Sequence, residues 1–284
     1  MTTAREEAVT TQEQEQTRDA WDSIAAGYDE FVTHTEVLLA NEALSRAGLQ
    51  QGMRFLDVAA GAGGLSLPAA RLGARVLATD ISPKMVERLV ARAREEGLDE
   101  VEARVMDGHD LELEDDTFDI SGSQFGVMLF PDLPRALGEM ARVTRPGGRV
   151  LMVVYGARTQ IEFLGLFMGA IQAVVPGFPG LPMDPPPLEF QVADPAKLRQ
   201  RLAEAGLHDV RVEAATEKLE FESGKQMWDW VMNSNPIAQM VIADLTEEQR
   251  AEIRHVLDSM LHERSGGSGP AVLTSPVHIG IGTK

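Results

Sequence analysis

Two rhythms of apolar residues run through this chain. Between residues 53 and 154, short stretches that read as strands (53–59, 75–80, 101–106, 118–124 and 148–154) alternate with stretches of helical spacing (63–72, 83–96 and 132–143). Strands alternating with helices in this way predict a doubly wound, mostly parallel α/β sheet. The punctuation agrees. Ser82 is a good N-cap with Pro83 in the first helical turn, and Arg145-Pro146-Gly147-Gly148 breaks the chain before an apolar strand. Upstream, the first ten to fifteen residues are polar and expected to be mobile. Helical periodicity then runs through Trp21, Ile24, Tyr28 and Phe31 and again from Glu36 to Ala47, where Gly48 ends it.

After Tyr155 the regularity changes. Residues 156–194 hold a cluster of Phe, Leu and Met and then a proline-dense passage through Pro187, too irregular for another helix–strand unit and read as a substrate loop. A helix at 195–205 and a strand at about 208–221 follow. Residues 223–267 read as a helical cap ending in a Gly/Ser linker, before a last strand at 276–283 within the segment 268–284. The expected organisation is thus an N-terminal helical lid (1–50), a core (51–155), the loop insert, a core helix and strand (195–222), the cap, and a final edge strand. With seven strands in all, an antiparallel edge is expected, and the cap should cover the carboxyl ends of the strands, where open α/β sheets bind ligands.

Composition narrows the class. With 284 residues and 44% hydrophobic content the chain can bury a sizeable core. A net charge of −18 opposes nucleic acid and anionic membranes as partners. There is no cysteine, and the six histidines show no zinc-ligand spacing, so no metal site is expected. The N-terminus lacks a signal peptide's apolar core and no run approaches the roughly 18 apolar residues of a membrane span. A cytoplasmic enzyme, monomeric or homodimeric, acting on a small molecule fits best.

The most informative stretch is Arg54-Phe55-Leu56-Asp57-Val58-Ala59-Ala60-Gly61-Ala62-Gly63-Gly64, a strand entering a glycine turn, followed by a second strand that ends on Asp80. Gly61 and Gly63 let the backbone approach a ligand, and Asp80 sits where a carboxylate can take both ribose hydroxyls of an adenosine. Ser66 occupies the position where a dinucleotide-binding helix wants glycine or alanine. The two tyrosines, Tyr28 and Tyr155, lack a lysine four residues on, so short-chain dehydrogenase chemistry has no residues. Asp57, just before the turn, instead suits a ligand with an ammonium group there, as in S-adenosylmethionine. Asp107 can accept from the adenine amino group.

Leu56-Asp57-Val58-Ala59-Ala60-Gly61-Ala62-Gly63, Ala78-Thr79-Asp80-Ile81-Ser82, Met106-Asp107-Gly108, the run Phe118 to Asp132 and Thr144-Arg145-Pro146-Gly147-Gly148-Arg149 together resemble the ordered motifs of class I S-adenosylmethionine-dependent methyltransferases, most of all the ubiquinone/menaquinone-type branch. The resemblance spans roughly residues 20–155. It implies S-adenosylmethionine as cofactor and S-adenosylhomocysteine as product. Asp57, Ala59, Gly61 and Gly63 would surround the methionine end, Asp80, Ile81 and Met85 the ribose and adenine side, Asp107 and Gly108 the adenine edge, and Gln124 the sulfonium region. Residues 21–29 would close over the cofactor with Tyr28 near its carboxylate. The family usually has glycine where this chain has Ala59, which is tolerable if the backbone there stays at φ < 0.

Phe163, Phe167, Met168, Trp228, Trp230 and Met232 are candidates for an adaptable hydrophobic cover over a moderately large apolar acceptor such as a quinone precursor, phenol, terpenoid or polyketide. Each can equally pack the cap's own interior. A general base, if used, would come from His34, Tyr155 or Glu162. His109 and the acidic run 112–116 read as a solvated loop. Two other readings stay open: a nicotinamide-dependent oxidoreductase, and a methyltransferase fold that binds the cofactor without transferring methyl.

Overall fold

The computed structural model describes residues 2–180 and 187–284, with residues 2–11 described by backbone alone. Helix α1 spans Thr2–Gly27, so helix begins upstream of the periodic residues; a π turn (Tyr28–Val32) and a 3-10 turn (Thr33–Glu36) lead into α2 (Val37–Ala47). Then come β1 (Arg54–Val58), α3 (Ser66–Arg71), β2 (Arg75–Asp80), α4 (Pro83–Glu95), β3 (Val101–Val105), β4 (Phe118–Gln124), α5 (Leu133–Val143) and β5 (Thr144–Tyr155). The second half is α6 (Glu162–Val174), α7 (Pro195–Glu204), β6 (His208–Phe221), α8 (Gly224–Ser234), α9 (Pro236–Val241), α10 (Glu247–Arg264) and β7 (Ala271–Thr283). No described helix is long and apolar enough to cross a membrane.

The seven strands form one sheet in the order β3-β2-β1-β4-β5-β7-β6. All neighbours among the first five are parallel, and β7 runs antiparallel to both β5 and β6. The antiparallel strand expected at this side of the sheet therefore slots between β5 and β6, leaving β6 outermost. Alternation along the strands explains why both faces are covered. In β5, Val150, Met152 and Val154 pack in one buried cluster with α5 and α7, while Leu151 and Val153 pack in another with α2 and α3. The sheet reverses strand order between β1 and β4, and the loops after β1 and β4 open there, the place where such sheets bind ligands.

Local chemistry sets most boundaries. Ser82 caps α4 by accepting from the Met85 N–H at 3.1 Å, and Thr246 with Gln249 makes a reciprocal capping box on α10. Gly48 ends α2 at φ 71°. Three elements depart from the sequence pattern. The turn after β1 takes up residues to Leu65, so α3 is only Ser66–Arg71. Strand β5 already starts at Thr144, because Thr144 pairs with Phe118 and pairing resumes at Arg149 opposite Ile120 after Arg145–Gly148 bulges out, with Gly147 at φ 77°. The Phe/Leu/Met stretch is a regular helix, α6, with Phe167, Ala170 and Ile171 buried against the cap. Part of the proline-dense passage, 181–186, lies outside the described residues.

Candidate active site

The turn between β1 and α3 is held by its own backbone. Ala60 N–H donates to the Thr79 carbonyl on β2, Gly63 N–H to the Ala60 carbonyl, and Gly61 N–H to Asp80 Oδ2 at 2.8 Å. Gly61 and Gly63 stand at φ 54° and 102°, where a Cβ is disfavoured. Ala59 adopts φ 56°, so the condition under which its methyl group is tolerable is not met: the turn keeps its left-handed path and the alanine carries the steric penalty. Close packing adds to this, since a Cβ on Gly126 would collide with Ala59.

Four acids lie buried along this face. Asp57, at the end of β1, is 1% exposed; Ser66 Oγ donates to its Oδ2 at 2.6 Å, and Oδ1 has no partner. Burial pushes its carboxyl up to about 7, against the pull of Ser66. Asp80 accepts from Gly61 N–H and, on its other oxygen, from Ser82 N–H at 2.9 Å; burial still raises it to about 6. Glu36, which the sequence pattern left unmarked, is buried and raised by burial to about 8, and accepts from the Tyr28 hydroxyl at 2.7 Å. Glu217 on β6, equally unmarked, is 3% exposed, raised by burial to about 7, and its Oε2 has no partner. The Tyr155 and Ser275 hydroxyls lie near it, but neither makes a hydrogen bond of ordinary geometry. A glutamate amid polar residues on a strand looks solvated; only the pairing with β7 and the cap above it make it interior.

The N-terminal segment lies across the turn. Tyr28 packs beside Gly61 and Glu36 beside Gly64, the second an approach that a side chain at Gly64 would block. Burial, then Glu36, pushes the Tyr28 phenol well up. Gln14 of α1 donates to Asp107 Oδ2 at 2.6 Å, and His109 donates its backbone N–H to Oδ1 at 2.9 Å. Burial alone would raise Asp107, but the His109 imidazole, whose Nδ1 lies 2.9 Å from Oδ1, outweighs it together with these two bonds and holds the group low. Gly108 is closed in by Phe130 and Val58, and Met85 packs with Ile24, Ala25 and Ala62 under the lid. Ile81 is half-buried next to Asp80, and Gln124 at the end of β4 donates to the Glu36 carbonyl while its own oxygen lacks a partner.

Beyond the turn lies a cavity with an empty volume of about 970 Å³, mouth included. Phe163, Phe167 and Met168 of α6 line it, as do Tyr28, Tyr155 and Trp230. Trp228 and Met232 do not. They sit one helical turn apart on the opposite side of α8 from Trp230 and Ser234, and fill the cap interior, where Trp228 lies against Phe167. Of the base candidates, Tyr155 faces the cavity, whereas His34 is exposed and Glu162 serves elsewhere. Glu162 pairs with Arg264 at 3.0 Å and accepts from the Thr274 N–H and hydroxyl, both at 2.7 Å; the Arg264 bonds hold it down at about 2, too weak a base.

Residues 56–152 match the family described as a methyltransferase domain. The chain is 38% identical over 144 residues to an uncharacterized protein of Mycobacterium tuberculosis, covering 51% of this chain and 50% of that one. It is 36% identical over 138 residues to a demethylmenaquinone methyltransferase of Clavibacter sepedonicus, covering 46% and 55%. The chain thus spans about half the length of the curated relatives it matches. The fold resembles that of a SAM-dependent methyltransferase from Aquifex aeolicus at a TM-score of 0.51 and 18% identity, covering 91% of this chain and 97% of the other.

Proposed function

We propose that this chain transfers a methyl group from S-adenosylmethionine to a small, largely apolar acceptor bound in the cavity under α6 and α8. The observation that carries the reading is the unpartnered Asp57 Oδ1 buried beside a glycine turn that Asp80 ties to β2. A buried carboxylate oxygen without a donor is unfavourable by about 1–3 kcal/mol or more, and an α-ammonium group at that point would supply the donor. Asp57 would hold the ammonium, Tyr28 would lie near the carboxylate, Asp80 would take the ribose with its remaining lone pairs, and Asp107 would exchange the Gln14 amide for the adenine amino group. When bound, the cofactor supplies a methyl group on a sulfonium that leaves as a neutral thioether. The chain's own part is positioning, which can contribute roughly 7–11 kcal/mol, and exclusion of water by the aromatic walls.

The identity with the demethylmenaquinone methyltransferase supports a place near the ubiquinone/menaquinone-type branch, and a cytoplasmic monomer or homodimer belongs to the same reading. No specific observation favours a nicotinamide ligand. Incubation with methyl-labelled S-adenosylmethionine and a broad panel of small apolar metabolites tests the proposal. Label in a product is expected. Tight S-adenosylhomocysteine binding with label in no product would sink transfer and favour a non-methylating use of the fold.

A further inference from the structure

The cavity is lined by aromatic rings and by three glutamates, Glu36, Glu189 and Glu217, and among its described lining residues there is no Lys, Arg or His. Such a wall is largely apolar, with carboxyl acceptors and no described cation to balance one that ionises. Glu36 is satisfied by Tyr28. Glu189 accepts from Asn235 at 2.8 Å through one oxygen while the other has no partner, and burial raises it. Glu217 is more deeply buried and also leaves one oxygen unpartnered. Two buried carboxyls thus present free acceptor positions in one pocket.

The cofactor does not account for Glu217. Its strand, β6, stands four strand spacings from β1, about 19 Å across the sheet at backbone level. Asp57 and Asp80 already lie at the glycine turn for the cofactor's own groups. The cavity that Glu217 lines is walled by aromatic rings instead. Tyr155 stacks on Phe125 at 4.4 Å, Phe163 lies 6.1 Å from Tyr155, and Trp230 meets Phe163 at 4.9 Å. The Trp230 indole N–H is engaged by Thr35 at 3.2 Å, which fixes the ring. Rings around a buried carboxylate favour a cation twice over, through the ring quadrupoles and through the unpaired charge.

Resting on the methyl-transfer reading above, we infer that the acceptor is an amine that binds as its ammonium ion and carries no acidic group, with Glu217 as its counter-ion and the Tyr155, Phe163 and Trp230 rings as its cage. With no cation among the described lining residues, an acceptor with a phosphate or carboxylate in the pocket is disfavoured. The ammonium proton passes to Glu217 Oε2, freeing the nitrogen lone pair. One N–C bond then forms as the S–C bond breaks, the S–C electron pair stays on sulfur, and the product nitrogen carries the positive charge.

The test uses phenyltrimethylammonium and its uncharged isostere tert-butylbenzene, titrated into the full chain by NMR with and without S-adenosylhomocysteine. The cation is expected to bind at least tenfold more tightly, and Glu217→Gln should lower that preference at least fivefold while S-adenosylhomocysteine binding is unchanged. A smaller wild-type preference, or a preference that survives Glu217→Gln, would overturn the inference. If Glu217→Gln does not fold, the wild-type comparison decides alone and Glu189→Gln supplies a second variant, expected to lower the preference at least twofold. Failure of S-adenosylhomocysteine to bind at all would instead strike the methyl-transfer reading, so the two failures are separable.

Discussion

Removing the charge of Asp57 should abolish a proton release that accompanies cofactor binding. In the free protein burial holds Asp57 at about 7 with one oxygen unpartnered. A bound α-ammonium favours the carboxylate, so binding must drive the proton off wherever the free protein still holds it. At pH 6 about nine-tenths of Asp57 is protonated, so about 0.9 proton per bound molecule should leave from this group. Affinity at pH 6 should be about tenfold lower than the high-pH limit, since ionising a group one unit below its pKa costs about 1.4 kcal/mol. Glu36 at about 8 and Asp80 at about 6 titrate in the same range, so the informative quantity is the difference between wild type and Asp57→Asn. Calorimetric titration of S-adenosylhomocysteine at pH 6, in buffers of different ionisation enthalpy, counts the protons. Asp57→Asn should release about one fewer and, above pH 8, bind about 10- to 100-fold more weakly, the loss of a charged hydrogen bond worth about 1.5–3 kcal/mol. Equal proton counts in the two proteins would refute the assignment of Asp57 to the ammonium.

Three further outcomes follow from the structure. Glu36, Asp57, Asp80 and Glu217 all have native pKa values above the ordinary carboxylate range, so the native state holds protons the unfolded chain has lost; ligand-free stability should be full below about pH 4 as far as these groups go and fall as pH rises to about 8, read by urea unfolding. A ligand-free protein more stable at pH 8 than at pH 5 would contradict their burial without counter-ions. Ala59→Gly removes a left-handed alanine worth about 1–2 kcal/mol, offset by about 0.4–1 kcal/mol of unfolded-chain entropy, and should stabilise by about 0.5–1 kcal/mol, seen as a melting temperature about 1–4 °C higher. Glu162→Gln should leave methyl transfer within twofold yet lower stability by about 0.5–1 kcal/mol, because it removes the charge that pairs with the half-exposed Arg264 and one of the two oxygens that join α6 to α10 and β7, while the amide oxygen still accepts; a tenfold loss of activity in a stably folded variant would return it to the reaction.

The parallel half of the fold was legible because each strand there carries its own signals: an apolar run, a glycine or proline at its end, a cap such as Ser82. The same locality made Asp57, Gly61 and Asp80 visible, since the turn and the next strand end lie within one strand–helix–strand unit. What escaped depends on distant pairing. Glu36 is buried only because the segment after α1 folds back onto Gly64, and Glu217 only because β7 inserts beside β6 and the cap closes above. Trp228 and Trp230 are two residues apart and chemically alike, yet the helix turns one into the cap interior and the other toward the cavity, a choice set by what α8 packs against. Ala59 stood out as a departure in the sequence, but its φ did not, since the turn's hydrogen bonds fix its path whatever residue occupies that place.

A thermal-shift comparison of S-adenosylhomocysteine and NAD on the intact chain tests the central claim most directly. A ligand of the native state at 100 times its dissociation constant stabilises by about 2.7 kcal/mol, which for a chain of this size is a rise of roughly 5–10 °C. The account predicts that rise for S-adenosylhomocysteine, attenuated in Asp57→Asn, and none for NAD. A rise with NAD and none with S-adenosylhomocysteine would contradict it.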